Sequence, residues 1–236
     1  MISVVLLAYR EEESLKLLFP RLIEQMDTLN EEYEMIVVDT DKPTDNTEAV
    51  CQQYGARYVN QEEPGFGGAY RKGISVMKGD KMLVLDSDGS HNPIYIPDIY
   101  NKFITGYDVV IGSRYTKGGK TEDAVTSRIM SHILNGVFRI VTGVKAKDLS
   151  TNFRIYRADV LREITLTSVN YDVLEEVLLL MKLKIGKDFK VGEIPITFNK
   201  RLAGESKRRL IPFIISYIKT MFRLIGIRIK GRSDLR

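Results

Sequence analysis

The sequence predicts an α/β fold: a mainly parallel, Rossmann-like sheet flanked by helices, followed by a C-terminal amphipathic helix. Three observations carry this prediction. Short apolar runs alternate with stretches of helical periodicity through the first half, a pattern that requires crossover connections. Two apolar runs end in aspartate, at Asp39 and Asp86, and parallel sheets bind ligands at the carboxyl ends of their strands. The most apolar stretch lies near the end of the chain and carries a basic stripe.

Taken in order, Ser3–Leu7 reads as a buried strand, and Glu13–Asn30 as a helix on the recurrence of Leu17, Leu18, Leu22 and Met26. Glu34–Val38 is a second strand, Thr47–Tyr54 a short helix stopped at Gly55, and Arg57–Asn60 a third strand. Gly67–Met77 is helical after a glycine-rich turn. Lys81–Leu85 is a fourth strand, Ile94–Phe103 a helix and Asp108–Ile111 a fifth strand. Beyond Gly118 and Gly119, helices are expected over Val125–Thr142 and Asp172–Leu183, a strand over Lys190–Phe198, and a final helix over Leu210–Ile229. No internal repeat is present. The expected organisation is one domain, 1–209, with an appended helix and tail, 210–236.

Composition excludes several classes. Of the 236 residues 44% are hydrophobic and 28% charged, which rules out global disorder and collagen-like or low-complexity architecture. Cys51 is the single cysteine, so neither a disulfide framework nor a cysteine zinc site is available, and a reducing compartment suits the chain. His91 and His132 are too few for a histidine-rich metal site. The apolar start is short, lacks a basic flank and runs into an acidic stretch, so it does not read as a signal peptide. From Lys200 to Arg236 eleven Lys and Arg stand against Glu205 and Asp234, a net +9 within a total of +4. A slightly acidic body with a basic tail points to an anionic partner at the tail. No interleaving of aromatic and basic residues supports nucleic acid as that partner.

The sharpest local signal is Asp86-Ser87-Asp88 after an apolar strand. On extended backbone, positions i and i+2 put both carboxylates on one side. Mg²⁺ or Mn²⁺ takes oxygen ligands, commonly one or two carboxylates plus substrate phosphates, and would neutralise a diphosphate leaving group. Gly65-Phe66-Gly67-Gly68-Ala69-Tyr70 offers a turn whose exposed amides could approach a phosphate or sugar closely. It fits neither the P-loop pattern nor G-x-G-x-x-G, because Tyr70 stands at the third glycine position.

Read together, these segments resemble the family-2, GT-A-fold glycosyltransferases, and within them the dolichol-phosphate mannose synthase group. The resemblance runs from Ile2 to about Leu210. Gly67-Gly68-Ala69-Tyr70 with Gly73 is similar to that group's G-L-G-T-A-Y segment, and Asp86-Ser87-Asp88-Gly89-Ser90-His91-Asn92-Pro93 to its D-A-D-x-S-H-x-P. Asp108-Val109-Val110-Ile111-Gly112-Ser113-Arg114-Tyr115 with Gly118-Gly119 resembles D-V-V-x-G-[ST]-R-Y…G-G. Ser150-Thr151-Asn152-Phe153-Arg154 resembles T-S-G-F-R. Glu193–Phe198 with Arg201 and Gly204-Glu205-Ser206-Lys207 resembles V-P-I-x-F…R…G-x-S-K.

The resemblance implies roles. Asp86 and Asp88 would hold the divalent metal, with Ser90 near its sphere. Asp39 would sit near the base or ribose, and Tyr9, Glu11, Gly67 and Lys207 would belong to the nucleotide-sugar pocket. Arg114, Arg128 and Arg201 would face the acceptor phosphate or the diphosphate, which arginine forks suit geometrically. His91 reads as structural or as a ligand neighbour, since a phosphate acceptor needs little help from a base. The chain departs from the pattern where Leu7, Ala8 and Arg10 replace Pro, Thr and Asn of the opening, across 39–47, at Val173-Leu174 in place of F-Q, and at Glu63. These departures touch the donor pocket.

On a helical wheel Arg208, Arg209, Ser216, Lys219, Thr220, Arg223 and Lys230 share a narrow face, and apolar residues fill the rest. Charges interrupt the stretch, which argues against a spanning helix of ~20 apolar residues. A basic stripe beside a wide apolar face fits a helix lying in a membrane interface, or one packed on its own domain or on a second subunit. The resemblance therefore implies inverting transfer of a hexose, with mannose from GDP-mannose foremost, to a polyprenyl or dolichyl phosphate, on the cytoplasmic face of a membrane that the chain contacts peripherally. A UDP-sugar donor, a saccharide acceptor, or a non-catalytic basic adaptor remain as alternatives.

Overall fold

A computed structural model describes residues 1–200 and 210–233. Seven strands form one sheet in the order β3-β2-β1-β4-β7-β5-β8: β1 (Ile2–Leu7), β2 (Tyr33–Asp39), β3 (Arg57–Asn60), β4 (Lys81–Asp86), β5 (Val109–Ser113), β7 (Arg154–Arg157) and β8 (Val191–Pro195). All neighbours run parallel except β7, which is antiparallel to both β4 and β5. A small parallel pair joins β6 (Lys120–Thr121) to β9 (Thr197–Phe198). The expected strand over Lys190–Phe198 is thus two strands that serve different sheets.

The helices are α1 (Glu12–Asp27), α2 (Thr47–Gln53), α3 (Gly65–Val76), α4 (Ile96–Phe103), α5 (Val125–Thr142), α6 (Ala158–Glu163), α7 (Val173–Ile185) and α8 (Leu210–Ser233). Side chains alternate across each strand, so β1 sends Val5 to one core and Val4 and Leu6 to the other. The Val4 core is closed by Leu15, Leu18, Phe19 and Leu22 of α1 and by Ile96 and Ile99 of α4. The Val5 core is closed by Tyr70 of α3, Phe138 of α5, Val177 and Leu178 of α7, and Tyr217 and Leu224 of α8. Gly73 lets α3 lie directly on β1: a Cβ there would come within 2.7 Å of Val5 Cγ1.

Two further differences from the sequence-based expectation bear on the core and the last helix. The first is β7, which no apolar run announces. Arg154, one of its four residues, is fully buried. Its guanidinium donates to the carbonyls of Thr151 and Leu174, at 2.6 and 2.9 Å, to the Leu149 carbonyl, and to Tyr156 Oη at 3.1 Å. A buried charge is tolerated where such acceptors replace water.

The second concerns the orientation of the last helix. Thr220 is buried and donates to Asp172, and Arg223 turns inward to Asp172 and Glu176 of the α7 region. Part of the expected basic stripe therefore faces the body, because two carboxylates wait there. Lys219 and Lys230 stay exposed, while Ile218, Phe222, Ile225 and Ile229 form the outward apolar face. Arg208 and Arg209 lie outside the described residues.

Candidate active site

The site forms at the carboxyl edge of the sheet, where β2, β1 and β4 end side by side. Leu7 is in register with Val38 on one side and with Asp86 on the other, so Asp39 and Asp86 flank the point where β1 opens into Ala8, Tyr9 and Arg10. The Ser87 hydroxyl donates to the Leu7 carbonyl at 2.7 Å and fixes the β4 exit to that opening.

Tyr9 is 47% exposed and the Arg10 guanidinium sits 5.5 Å from its ring centroid. Arg10 has φ of +60°, in the left-handed region that Asn tolerates more readily, so the departure from the family's Asn is a conformational cost at the pocket rim. Glu11 stands just before α1, and its carbonyl accepts the first helical bond, from Leu15 at 2.8 Å. The Asp45 carboxylate accepts from the amides of Glu12 and Thr47 and ties the loop after β2 to two helix starts.

Asp39 is 1% exposed. It accepts from the Thr40 amide at 2.7 Å and from Tyr58 Oη at 2.9 Å. Burial pushes its carboxyl above the ordinary range despite those two bonds.

Asp86 accepts from Asn152 Nδ2 at 3.0 Å and keeps 28% of its side chain exposed. Asp88 is buried, and its Oδ1 accepts from the amide and hydroxyl of Ser90 at 2.9 and 2.6 Å. Ser90 is itself fully buried and orients the carboxylate. Asn152 Oδ1 is buried without a hydrogen-bond partner among the described residues. Oxygen donors of this kind suit Mg²⁺ or Mn²⁺. Among the described residues no group of three or more His, Cys, Asp or Glu side chains converges into a closed metal cage.

His91 is fully buried. Its Nδ1 accepts from the Asp86 amide at 3.1 Å, its Nε2 meets Thr151 Oγ1 at 3.2 Å, and its ring packs against Phe153 and Phe198. Burial lowers its pKa, so the neutral ring serves as a brace for the β4 exit.

The structure brings Arg114 to the same edge, after β5, but commits it. Nε and Nη2 each lie 2.8 Å from the Asp148 carboxylate, and Nη2 also donates to Ser150 at 2.7 Å. Nη1 is 3.6 Å from Asp123. Arg128 is exposed on the first turns of α5. Gly67 corrects an expectation: its amide donates to the Val169 carbonyl at 2.8 Å, and a Cβ there would meet Ser168 O at 1.9 Å. Gly65 and Gly67 pack against the 168–169 backbone and Gly68 against Glu63, and the Gly67 amide is not open to a phosphate. Arg201 and Lys207 lie outside the described residues.

Asn152, Tyr58 and Asp148 were not singled out as site residues by their sequence. Asn152 sits inside a recognisable motif, which is a signal of a kind. Tyr58 and Asp148 become visible only through contacts 19 and 34 residues away in the chain.

The family model Glycosyl transferase family 2 matches residues 3–165. Dolichol-phosphate mannosyltransferase of Pyrococcus furiosus is 33% identical over 95% of this chain, which spans 63% of that protein's length. Polyprenol monophosphomannose synthase of Mycolicibacterium smegmatis is 29% identical over 98% of this chain and 88% of its own. Undecaprenyl-phosphate mannosyltransferase of Micrococcus luteus is 33% identical, with 87% and 86% covered. Among solved structures, Mycobacterium tuberculosis glucosyl-3-phosphoglycerate synthase, in complex with Mn²⁺, UDP and glucosyl-3-phosphoglycerate, superposes with a TM-score of 0.73 at 21% identity. That match covers 96% of this chain and 80% of the synthase, and it shows a shared GT-A-like fold. With its sheet edge, its aspartate pair and more than half of its length matched, the chain belongs to glycosyl transferase family 2.

Proposed function

We propose that this protein is an inverting, metal-dependent hexosyltransferase that carries a sugar from a nucleoside diphosphate to a polyprenyl phosphate, with mannose from GDP-mannose as the first donor to test. The observation that carries the reading is the convergence of Asp39, Asp86 and Asp88 at one sheet edge, with the unpartnered Asn152 Oδ1 beside Asp86. The three curated relatives, all named for mannosyl transfer to, or mannosyl products of, isoprenoid phosphates, supply the substrate class.

A divalent cation held by Asp86 and Asp88 would supply charge neutralisation of the diphosphate as it leaves. Asp39, fixed by Tyr58 and Thr40, retains lone pairs for N–H or O–H donors of the base or ribose. Tyr9 and Glu11 line the same opening. A phosphate oxygen of the acceptor attacks the anomeric carbon as the bond to the diphosphate oxygen breaks, so the anomeric configuration inverts. The attacking phosphate is already anionic, so no protein base has to remove a proton, consistent with His91 serving as a brace. Arg128, Arg201 and Lys207 are the cations assigned to the acceptor phosphate and diphosphate. Arg114 acts with them from behind, holding the 148–150 segment while only Nη1 turns toward Asp123.

No described helix is long and apolar enough to cross a membrane. The reading instead places the protein peripherally, on the cytoplasmic face, through α5 and α8. These helices pack together and expose Val125, Ile129, Ile133 and Ile140 on one and Ile218, Phe222 and Ile229 on the other. A lipid acceptor confined to the bilayer gives this apolar surface a purpose. Nucleic acid is not a partner in this reading.

The test incubates the full chain with undecaprenyl phosphate in vesicles and labelled GDP-mannose, UDP-glucose or UDP-galactose, with Mn²⁺ or with chelator. Label entering the lipid phase only with metal is the expected result, and the donor that gives it identifies the sugar. Label in water-soluble saccharide, or none with any donor, defeats the lipid-acceptor reading.

A further inference from the structure

Arg223 of α8 lies at the centre of a half-buried polar knot that the proposed chemistry does not use. Its Nη1 is 2.5 Å from both Thr167 Oγ1 and Glu176 Oε1. Its Nη2 is 3.0 Å from Asp172 Oδ2 and also donates to Ser168 Oγ. Glu176 is fully buried and uses its other oxygen to accept from the amides of Thr167 and Ser168, at 3.0 and 2.8 Å. Burial alone would raise its carboxyl. Bonds from Thr167 and Ser168, with the Arg223 charge, outweigh burial and hold it below the ordinary range. Thr220, one turn earlier on α8, adds a bond to Asp172 Oδ2 at 2.7 Å.

The far side of the 167–169 segment is the wall against which the glycine turn packs. Val169 O accepts from Gly67 N at 2.8 Å, and Ser168 O accepts from Arg71 Nη1 at 2.6 Å. The close seat of Gly67 on Ser168 O leaves no room for slippage between the two backbones. The turn is tied onward through Gln61, whose Nε2 donates to the carbonyls of Glu63 and Gly65 at 2.8 and 3.3 Å. The Gln61 amide in turn donates to the Asp39 carbonyl at 2.8 Å. Hydrogen bonds joined by short stretches of backbone, at 168–169 and 65–67, therefore connect the C-terminal helix to the residue assigned to the nucleotide.

We propose that Arg223 is a positioning residue for the nucleotide pocket: it fixes the 167–169 segment, which seats the glycine turn beside Asp39. The inference rests on the nucleotide-sugar reading of that pocket. Without Arg223, Glu176 is a buried carboxylate without its counter-charge, and it either takes up a proton or shifts toward water. In both cases the anchor of the Thr167 and Ser168 amides loosens, and the turn loses its fixed wall. Because α8 also carries the exposed apolar face, the same arginine links lipid-side docking to donor binding.

The test measures GDP and UDP binding to the full chain by calorimetry in Mn²⁺, with thermal midpoints and steady-state constants. Arg223→Gln is compared with Arg223→Lys and with Leu224→Ala, which removes a fully buried neighbour on the same helix without touching the knot. Arg223→Gln is expected to raise the Kd and the donor KM at least about fivefold, the lower end of ordinary coupling energies, with a smaller change in kcat. Arg223→Lys, which keeps the charge but not the fork, falls between. Leu224→Ala lowers the midpoint and leaves the Kd within about twofold, well under that coupling range. An unchanged Kd in a folded Arg223→Gln overturns the proposal, as does an equal loss in Leu224→Ala. If Arg223→Gln does not fold, Arg223→Lys decides on the same criterion. Wild-type protein that binds neither nucleotide removes the nucleotide reading itself, a result distinct from the other two.

Discussion

The Arg114 guanidinium and the Asp148 carboxylate meet as a two-point pair, 2.8 Å at each contact, with the Asp148 side chain completely removed from solvent and the Arg114 side chain 9% exposed. The carboxylate is held below its ordinary range: burial opposes ionisation, but the adjacent guanidinium charge and its hydrogen bonds prevail. Such a pair contributes little net stability against an apolar substitute, yet breaking it from one side strands a buried charge.

Arg114→Ala and Asp148→Ala are accordingly each expected to cost about 3–5 kcal/mol in urea denaturation, the range for breaking a buried pair. The double variant should lose distinctly less than the sum of the two, because the second deletion removes the stranded partner. Additive losses would show that the two residues act independently.

Asp88→Asn keeps an oxygen for the Ser90 amide and hydroxyl and removes the charge a cation needs. Turnover in saturating Mn²⁺ should fall on the order of a hundredfold, while the thermal midpoint stays close to that of the wild type. Near-native turnover in chelator would show that the aspartate pair does not serve a metal.

Glu175 provides a pH test of the fold. Burial lifts its carboxyl to about 8, against the pull of Arg154, and its Oε2 has no hydrogen-bond partner among the described residues. Between the unfolded value near 4.5 and about 8, the folded state holds a proton that the unfolded state has lost. Stability therefore declines as pH rises through that window and levels off above it. Glu175→Gln cannot ionise and should flatten the decline, gaining a few kcal/mol over the wild type at pH 9, by the order of magnitude of such linkage. Parallel pH–stability curves for the two proteins would refute the assignment.

The elements that announce themselves are those with one dominant physical cause. The β1, β2, β4 and β5 strands are apolar on both faces, because helices cover the sheet on both sides, and each was legible as a run. Asp39 and Asp86 were legible because a charge ending such a run has to sit at its edge. The β7 strand was not, since Arg154 reads as a surface residue until the carbonyls of Leu149 and Leu174 are in place around it. The amphipathic character of α8 is legible in its sequence, but the direction its basic stripe faces is not. Nothing local to 210–233 reveals that Asp172 and Glu176 would take Arg223 inward and push Phe222 out. The role of Gly67 was likewise hidden, because the backbone it meets lies a hundred residues on.

The outward face that results from this rotation sets the last prediction. Phe222 and Ile229 on α8 are 66% and 65% exposed, and Ile129 and Ile140 on α5 are 55% and 79% exposed. Between the helices a groove of about 350 Å³ is lined by Ile140, Val141, Ile225, Arg228 and Ile229. Arg228 donates to the carbonyl of Val141 at 2.7 Å, and Lys219 and Lys230 stand exposed on α8. An apolar surface with cations nearby binds anionic bilayers through two separable terms, insertion and charge. Phe222→Asp combined with Ile129→Asp should reduce sedimentation with phosphatidylglycerol vesicles at least about tenfold, given the cost of placing acidic groups in the interface. The thermal midpoint should hold, since both side chains point away from the core. Activity on long polyprenyl phosphate should fall with binding, whereas activity on a short, soluble prenyl phosphate should be spared. Raising salt from 0.1 to 0.5 M should weaken wild-type binding only in part, because screening removes the Lys and Arg contribution and leaves the apolar one. Vesicle binding unchanged in the double variant would show that the two-helix face is not the lipid contact, and complete release by salt would show that insertion plays no part.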